Sequence, residues 1–416
     1  MKKLALVIFR NNLRVLDNKA LLSATKDCET VIGIYDLNLL DYIKSSFRKE
    51  FIIQTIHNLE KNLKRYGINL SYTKDISSTL EKLSKKYCIT VYFSKEVGTY
   101  EETYENKLKK FSYKEYFEQT LIEPFEFDYT NSFSHFRKKA EKKEIDTNLE
   151  TPKIVNTIDC RNEILPSTFS TLIFKGGEDE ALKRVNHYMN YIHDYFETRN
   201  EMCGLDSSTK FSPYLACGAI SPRTVYKILK KEEEKTFSSK SSYWIYFELL
   251  WRDFFHMVML QSKNKLFLKT GLKNIDFNFN TNKKSIESVL HGNTGVDIID
   301  ASTKELTSTG WLSNRNRQLL ASYWTKNLGL DFRIGAKWFE DLLIDYSPAS
   351  NWGNWAYIAY VGNDKRYNVF DPEEQSKFYG GNTYINKWLH KNETSSHVAY
   401  KKMALKIKRE VFNLNE

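Results

Sequence analysis

Along the first 125 residues, short apolar runs rich in β-branched and aromatic side chains recur as KKLALVIF, ETVIGIYDL, INLSYT and ITVYFSKE. Between them, segments 17–25, 48–66 and 77–87 place apolar residues at helical spacing. Strands buried on both faces read as near-continuous apolar runs, and helices between them supply the crossovers of a parallel sheet. The pattern therefore predicts an α/β domain with a doubly wound parallel sheet over residues 1–125. No GxGxxG follows the first run, so the usual dinucleotide fingerprint of such a sheet is missing.

From 126 to 170 the periodicity dissolves into FRKKAEKKEIDTNLETPK, a charged stretch that reads as a solvated interdomain linker. Beyond it, over 171–416, long helical patterns take over and predict a larger, all-helical C-terminal domain. In SYWIYFELLWRDFFHMVML the apolar residues fall at 243/244, 247, 250/251, 254/255 and 258/259, the spacing of a buried amphipathic helix. All eight tryptophans lie between Trp244 and Trp388, so this domain carries nearly all the large aromatic surface.

Composition refines this outline. A chain of 416 residues exceeds one ordinary core. No apolar run approaches the roughly 18 residues of a membrane span, so no membrane is expected. MKKLALVIFRNNLR superficially resembles a secretory leader, but Arg10 and Arg14 interrupt it and no small-residue cleavage site follows. Five cysteines without CxxC spacing argue against a metal site or a disulfide framework and for reduced thiols. A cytoplasmic monomer is the expectation. The formal charge of +10 favours a polyanionic partner such as nucleic acid.

Candidate chemistry lies in the helical part. DYSPASNWGNWAYIAYVGND, residues 345–364, mixes large aromatics with small polar residues, which suits a core that holds something flat and hydrogen-bonding. In GLDSSTKFSPYLACGAISPRTVYKIL, residues 204–229, hydroxyls, a lysine and two prolines at possible helix starts fit a pyrophosphate, or simply a cluster of helix caps. Glu248, Trp251 and Arg252 stand at i, i+3 and i+4 on one helix face and could read a base. A plain Glu248–Arg252 ion pair is the alternative. Asn314, Arg315 and Arg317 open a helix, and Arg317 could pair with Asp345.

VIFRNNLRVLDNKAL, TKFSPYLACGAISPR, ELLWRDFF, GWLSNRNRQ and SNWGNW followed by VGND resemble, in order and spacing, the photolyase/cryptochrome superfamily over nearly the whole chain. WGNWAY with VGND, Gln318 after NRNR, and YFETRN are most similar to its cryptochrome DASH branch. The resemblance implies a U-shaped FAD inside the helical domain. Tyr195, Ser208, Thr209, Lys210, Phe211 and Ser212 would hold its phosphates and ribityl chain. Arg317 and Asp345 would bracket the flavin, Asn351 would sit beside its redox-active nitrogen, and Trp352 and Trp355 would lie near the ring.

The same resemblance implies light-driven repair of cyclobutane pyrimidine dimers, with a DASH preference for single-stranded DNA. Glu248 would hydrogen-bond the dimer, Trp251 and Tyr357 would wall its pocket, and Arg252, Asn314 and Arg315 would touch lesion or backbone. Glu248, Asn351 and Trp355 are thus the expected catalytic set. Glu101 matches a carboxylate that contacts a methenyltetrahydrofolate antenna, a solvated acidic helix start being the other reading. The rival function is a blue-light receptor that uses the same flavin without repair.

Some positions depart from the family pattern. Trp355 is the first station of the usual three-tryptophan chain, but Phe332 and Phe279 stand at the next two. Trp324, Trp338, Trp352, Tyr346 and Tyr360 are the candidates to replace them. Tyr357 stands where many photolyases carry tryptophan, which should weaken binding of duplex lesions. Ser347 replaces an acidic residue, and Asn368 replaces an arginine with Lys365 and Arg366 nearby to compensate.

Overall fold

The computed structural model describes residues 1–160, 163–168 and 172–389. Of the expected linker, residues 161–162 and 169–170, and of the expected helical domain, residues 171 and 390–416, lie outside the described residues. Five parallel strands, β1 (Lys3–Phe9), β2 (Val31–Asp36), β3 (Asn69–Thr73), β4 (Cys88–Ser94) and β5 (Tyr113–Tyr116), form a sheet of order β3-β2-β1-β4-β5. Helices Lys19–Asp27, Ser46–Lys64, Ile76–Ser84 and Thr99–Leu108 make the crossovers. The first three begin where Asn18, Ser45 and Asp75 accept a backbone N–H of the first turn. This is the doubly wound arrangement that the apolar runs predict. The sequence reading missed β5, whose YKEY is exposed or half-buried. An edge strand carries polar residues, and lysine there discourages pairing with another chain.

Part of the charged stretch 126–170 is not a solvated tether. Helix Phe133–Ala140 buries Phe133, Phe136 and Ala140, and Phe133 stacks on Trp251 at 3.8 Å. Two polar faces around one narrow apolar stripe hid it.

Short helices fill the remainder of the chain around one long one, Lys240–Ser262, whose start is fixed by a capping box between Ser239 and Ser242. The sheet and helical parts share a continuous apolar core. Polar ties also cross between them. Arg223 donates to both oxygens of Asp17 at 3.0 Å, and Asp253 accepts the backbone N–H groups of Leu121 and Ile122 at 2.9–3.0 Å. Burial pushes the Asp253 carboxyl up to about 7 against the pull of those amides. Among the described residues, no helix is long and apolar enough to cross a membrane.

Candidate cofactor and lesion site

Helices Asn314–Ser322 and Pro348–Ile358 and the middle of Lys240–Ser262 surround a cavity of about 600 Å³ that joins an inner one of about 230 Å³. Tyr195, Arg199, Glu248, Asn314, Arg317 and Asp345 line both. Every site residue expected from the sequence, except Glu101 and Trp352, lies on the wall of this joined space. Ser208, Lys210, Asn351 and Trp355 face the inner part, Thr209 and Ser212 both parts, and Phe211, Trp251, Arg252, Arg315 and Tyr357 the outer part.

The loop 205–211 is shaped from behind. Arg184, on helix Glu178–Tyr188, donates to the carbonyls of Leu205, Ser208 and Thr209 at 2.9–3.1 Å and pairs with Asp206 at 2.6 Å. Lys210 adopts a left-handed φ of 56°, and its ammonium reaches Ser208 Oγ at 2.8 Å while lying 4.3 Å from the centre of the Trp311 ring. Burial lowers this ammonium to about 8. None of the hydroxyls between 207 and 212 caps the helix Ser212–Ala216, whereas Ser221 does cap Pro222–Lys235. The cap explanation therefore covers Ser221 and leaves the earlier hydroxyls for another role.

Arg317 donates to Leu312 O at 3.0 Å and to Asp345 Oδ2 at 2.8 Å, the pair anticipated from the sequence. Asp345 Oδ1 is buried without a partner and requires a donor. Asn351 donates one Nδ2–H to Ala336 O at 2.9 Å, which leaves its oxygen and second N–H to offer the cavity. Trp355 seats against Gly335, where any Cβ would come within 2.3 Å of the indole. Trp352 does not share this site. It lines a second cavity and donates to Glu340 Oε2 at 3.3 Å.

Around the outer opening, Trp251 and Tyr357 meet at 89° with ring centres 5.7 Å apart, and Phe133 covers one face of the indole. Glu248 pairs with Arg199 at 2.5 Å, and Arg199 lies 4.1 Å over the Trp244 ring. Burial raises the Glu248 pKa, and Arg199 opposes the shift. The alternative Glu248–Arg252 helical pair is therefore not formed. Arg252 instead donates to the carbonyls of Gln119 and Leu215, and burial lowers it to about 10. Arg315 is held by Asn200 at 2.9 Å and Gln375 at 3.2 Å and lies against the Tyr379 ring. At the rim near Asn368 the cation on the cavity wall is Lys326, which bonds Asn368 O, while Lys365 and Arg366 are exposed.

Sequence reasoning missed Arg184, Arg199 and Lys326. The TRN of YFETRN held the clue for Arg199, but its partner lies 49 residues away.

The second cavity, about 520 Å³, lies between the sheet and helical parts and is lined by Arg48, Tyr100, Glu101, Lys337, Glu340 and Trp352, among others. Glu101 sits in the first turn of Thr99–Leu108, close over Gly98, where φ is 127° and a Cβ would meet the carboxylate at 2.2 Å. Burial first, then the charge of Glu96, pushes its carboxyl up to about 8.

Comparison with known proteins agrees with this geometry. The family described as DNA photolyase matches residues 5–153, and the FAD binding domain of DNA photolyase matches 244–411. Cryptochrome DASH of Danio rerio is 35% identical over 92% of this chain and 82% of its own length. That of Synechocystis is 36% identical over 92% and 87%. A Synechocystis cryptochrome crystal structure aligns with a TM-score of 0.86 at 31% identity over 99% of both chains. An archaeal photolyase from Sulfolobus tokodaii, crystallised with two FAD molecules, aligns at 0.79 with 26% identity, covering 96% of this chain and 93% of that one. The unpartnered Asp345 Oδ1, the buried Lys210 and the flat aromatic wall fit FAD, whose imide N–H, phosphates and ring would meet them in turn. The chain belongs to the cryptochrome DASH group of the photolyase family and is an FAD-binding flavoprotein.

Proposed function

We propose that this protein repairs cyclobutane pyrimidine dimers in single-stranded DNA under blue light. The observation that carries the reading is the continuity of the two cavities. An opening walled by Trp251 and Tyr357 and equipped with Glu248 runs directly into the space lined by Lys210, Arg317, Asp345 and Asn351. A receptor needs the inner space but has no use for the outer one.

FAD, when bound there, supplies the chromophore and the electron. The chain's own residues prepare the rest. Asn351 offers an oxygen that accepts an N–H, which favours a protonated ring nitrogen beside it. Glu248 can accept an N–H as a carboxylate or donate to a carbonyl as the acid, and a pyrimidine edge presents both groups. Arg199 holds Glu248 through Oε1 alone, which leaves Oε2 to meet the lesion while the pair stays in place. A flipped dinucleotide costs least to extract from a strand that is already unpaired. With Tyr357 and one open indole face as walls, the pocket provides less stacking surface than duplex extraction would reward.

The second cavity is read as an antenna site for methenyltetrahydrofolate, with Glu101 as the acceptor for its pterin N–H groups. The reducing cytoplasm is the proposed compartment.

The test is to reduce the purified protein, add dimer-bearing oligothymidylate, illuminate and follow the return of thymine absorbance. Recovery is expected on single strands, and none would remove the repair reading. Glu248→Ala should lower the yield roughly ten- to hundredfold, the scale of a lost hydrogen bond to a charged group at about 1.5–3 kcal/mol. Flavin content should stay unchanged. Loss of flavin instead would mean that Glu248 serves the cofactor.

A further inference from the structure

The outer opening continues into a band of aromatic rings along the first two turns of helix Lys240–Ser262. Tyr243, Trp244, Tyr246 and Phe247 sit there, and none is fully buried. A helix face shaped only by solvation would be polar. Rings pass outward from the cavity in contact with one another. Phe133, stacked on Trp251, meets Phe247 at 5.1 Å, Phe247 meets Tyr243 at 6.2 Å, Tyr243 meets Tyr246 at 6.1 Å, and Tyr246 meets Tyr226 at 5.4 Å. Tyr243 is 38% exposed.

Cations border this band. Arg137 lies 5.4 Å over the Phe247 ring and Lys230 5.4 Å over that of Tyr226. Residues 137–143, RKKAEKK, carry Arg137, Lys138, Lys139, Lys142 and Lys143 against the single carboxylate of Glu141. That carboxylate is already engaged, accepting from Tyr243 Oη at 2.5 Å and facing Arg137 Nε at 3.6 Å. Lys138, Lys139, Lys142 and Lys143 are exposed.

We propose that this band is a track for the single-stranded DNA flanking the lesion, with bases stacked on Tyr243 and Tyr246 and phosphates met by the cations of residues 137–143. The proposal rests on the outer cavity being the lesion pocket and adds where the neighbouring nucleotides run. From Glu248 to Tyr243 the helix advances about 7.5 Å, room for one or two nucleotides beside the pocket. Among the described residues the rings touching Tyr243 and Tyr246 are tilted or edge-on rather than stacked, and such rings accept unpaired bases, which a duplex keeps stacked inside. Rings interleaved with cations suit a polyanion with aromatic bases better than an apolar protein surface.

The test measures binding by fluorescence anisotropy for three probes: the bare dimer dinucleotide, the dimer within a short oligothymidylate, and the same oligothymidylate paired into a duplex. The wild-type protein should prefer the single-stranded oligonucleotide to the dinucleotide. Tyr243→Ala should weaken binding of the oligonucleotide about tenfold, the scale of one lost base–aromatic stack. Lys138→Glu with Lys139→Glu should do likewise and flatten the salt dependence. Both variants should retain flavin absorbance and bind the dinucleotide as the wild type does. Equal wild-type affinity for dinucleotide and oligonucleotide would overturn the track alone, as would unaltered oligonucleotide binding in both flavin-loaded variants. A wild-type protein that binds neither probe would overturn the lesion pocket with it.

Discussion

Two cavities flank the helix Pro348–Ile358, and their charged groups are arranged differently. In the joined space, key charges are paired: Arg317 with Asp345 and Arg199 with Glu248. In the interdomain cavity Arg10 pairs with Glu96 and Lys337 with Glu340, but Glu101 makes no ion pair among the described residues and is perturbed by burial and then by the like charge of Glu96. Paired groups hold fixed positions before a ligand arrives, at the cost of desolvation that the pair must offset. A lone acid in a cleft avoids that cost by keeping its proton, and gains most from a ligand rich in N–H donors. The first arrangement suits an anionic, permanently held cofactor. The second suits an accessory ligand.

The comparison breaks most visibly at Arg317. Arg317→Ala leaves Asp345 buried and unpaired, a change of about 3–5 kcal/mol in a site of this kind. The purified variant should be nearly colourless, read from flavin absorbance per protein. Full flavin loading would show that the pair does not organise the site.

A smaller effect is expected at Trp324. Its ring meets Trp355 edge-on at 6.3 Å and stacks near Trp338 at 6.1 Å, whereas on the usual route Phe332 meets Phe279 and Phe279 meets Phe277, phenyl rings that resist oxidation. Trp324 is therefore the oxidisable neighbour best placed to replace Phe332. Trp324→Phe should slow photoreduction of oxidised protein by an added thiol several-fold, followed by bleaching of the flavin band. An unchanged rate would direct attention to tyrosines.

The smallest effect concerns Glu101. Its folded pKa of about 8 exceeds the ordinary value of 4.5. Between those values the unfolded chain has released the proton and the folded chain retains it, so this group's contribution to stability falls as pH rises through that window. Glu101→Gln should flatten the dependence of the denaturation midpoint on pH from about 5 to 8, with its advantage over the wild type growing toward the alkaline end. Identical slopes would mean that water in the cleft already solvates the carboxylate. Flavin content should not change, which separates the two cavities.

Much of the fold was legible because buried strands of a parallel sheet must be apolar on both faces. Four strands and their helices could be read from that requirement. The edge strand β5 and the helix Phe133–Ala140 could not, because one is exposed and the other shows a narrow apolar stripe within a run of lysines. The site was legible residue by residue through its motifs, yet Glu248 and Arg252 share a helix face without pairing. Their partners, Arg199, Gln119 and Leu215, come from other segments.

The sequence alone indicated the two-part organisation and most of the side chains that line the joined cavity, since periodicity and local motifs are properties of neighbouring residues. Only the tertiary structure decided that Trp352 and Trp355, three positions apart, serve different cavities, that Arg199 rather than Arg252 pairs with Glu248, and that Trp324 lies against Trp355. These outcomes depend on which distant segments close around each helix. That is set by packing the whole core at once, which no local pattern encodes.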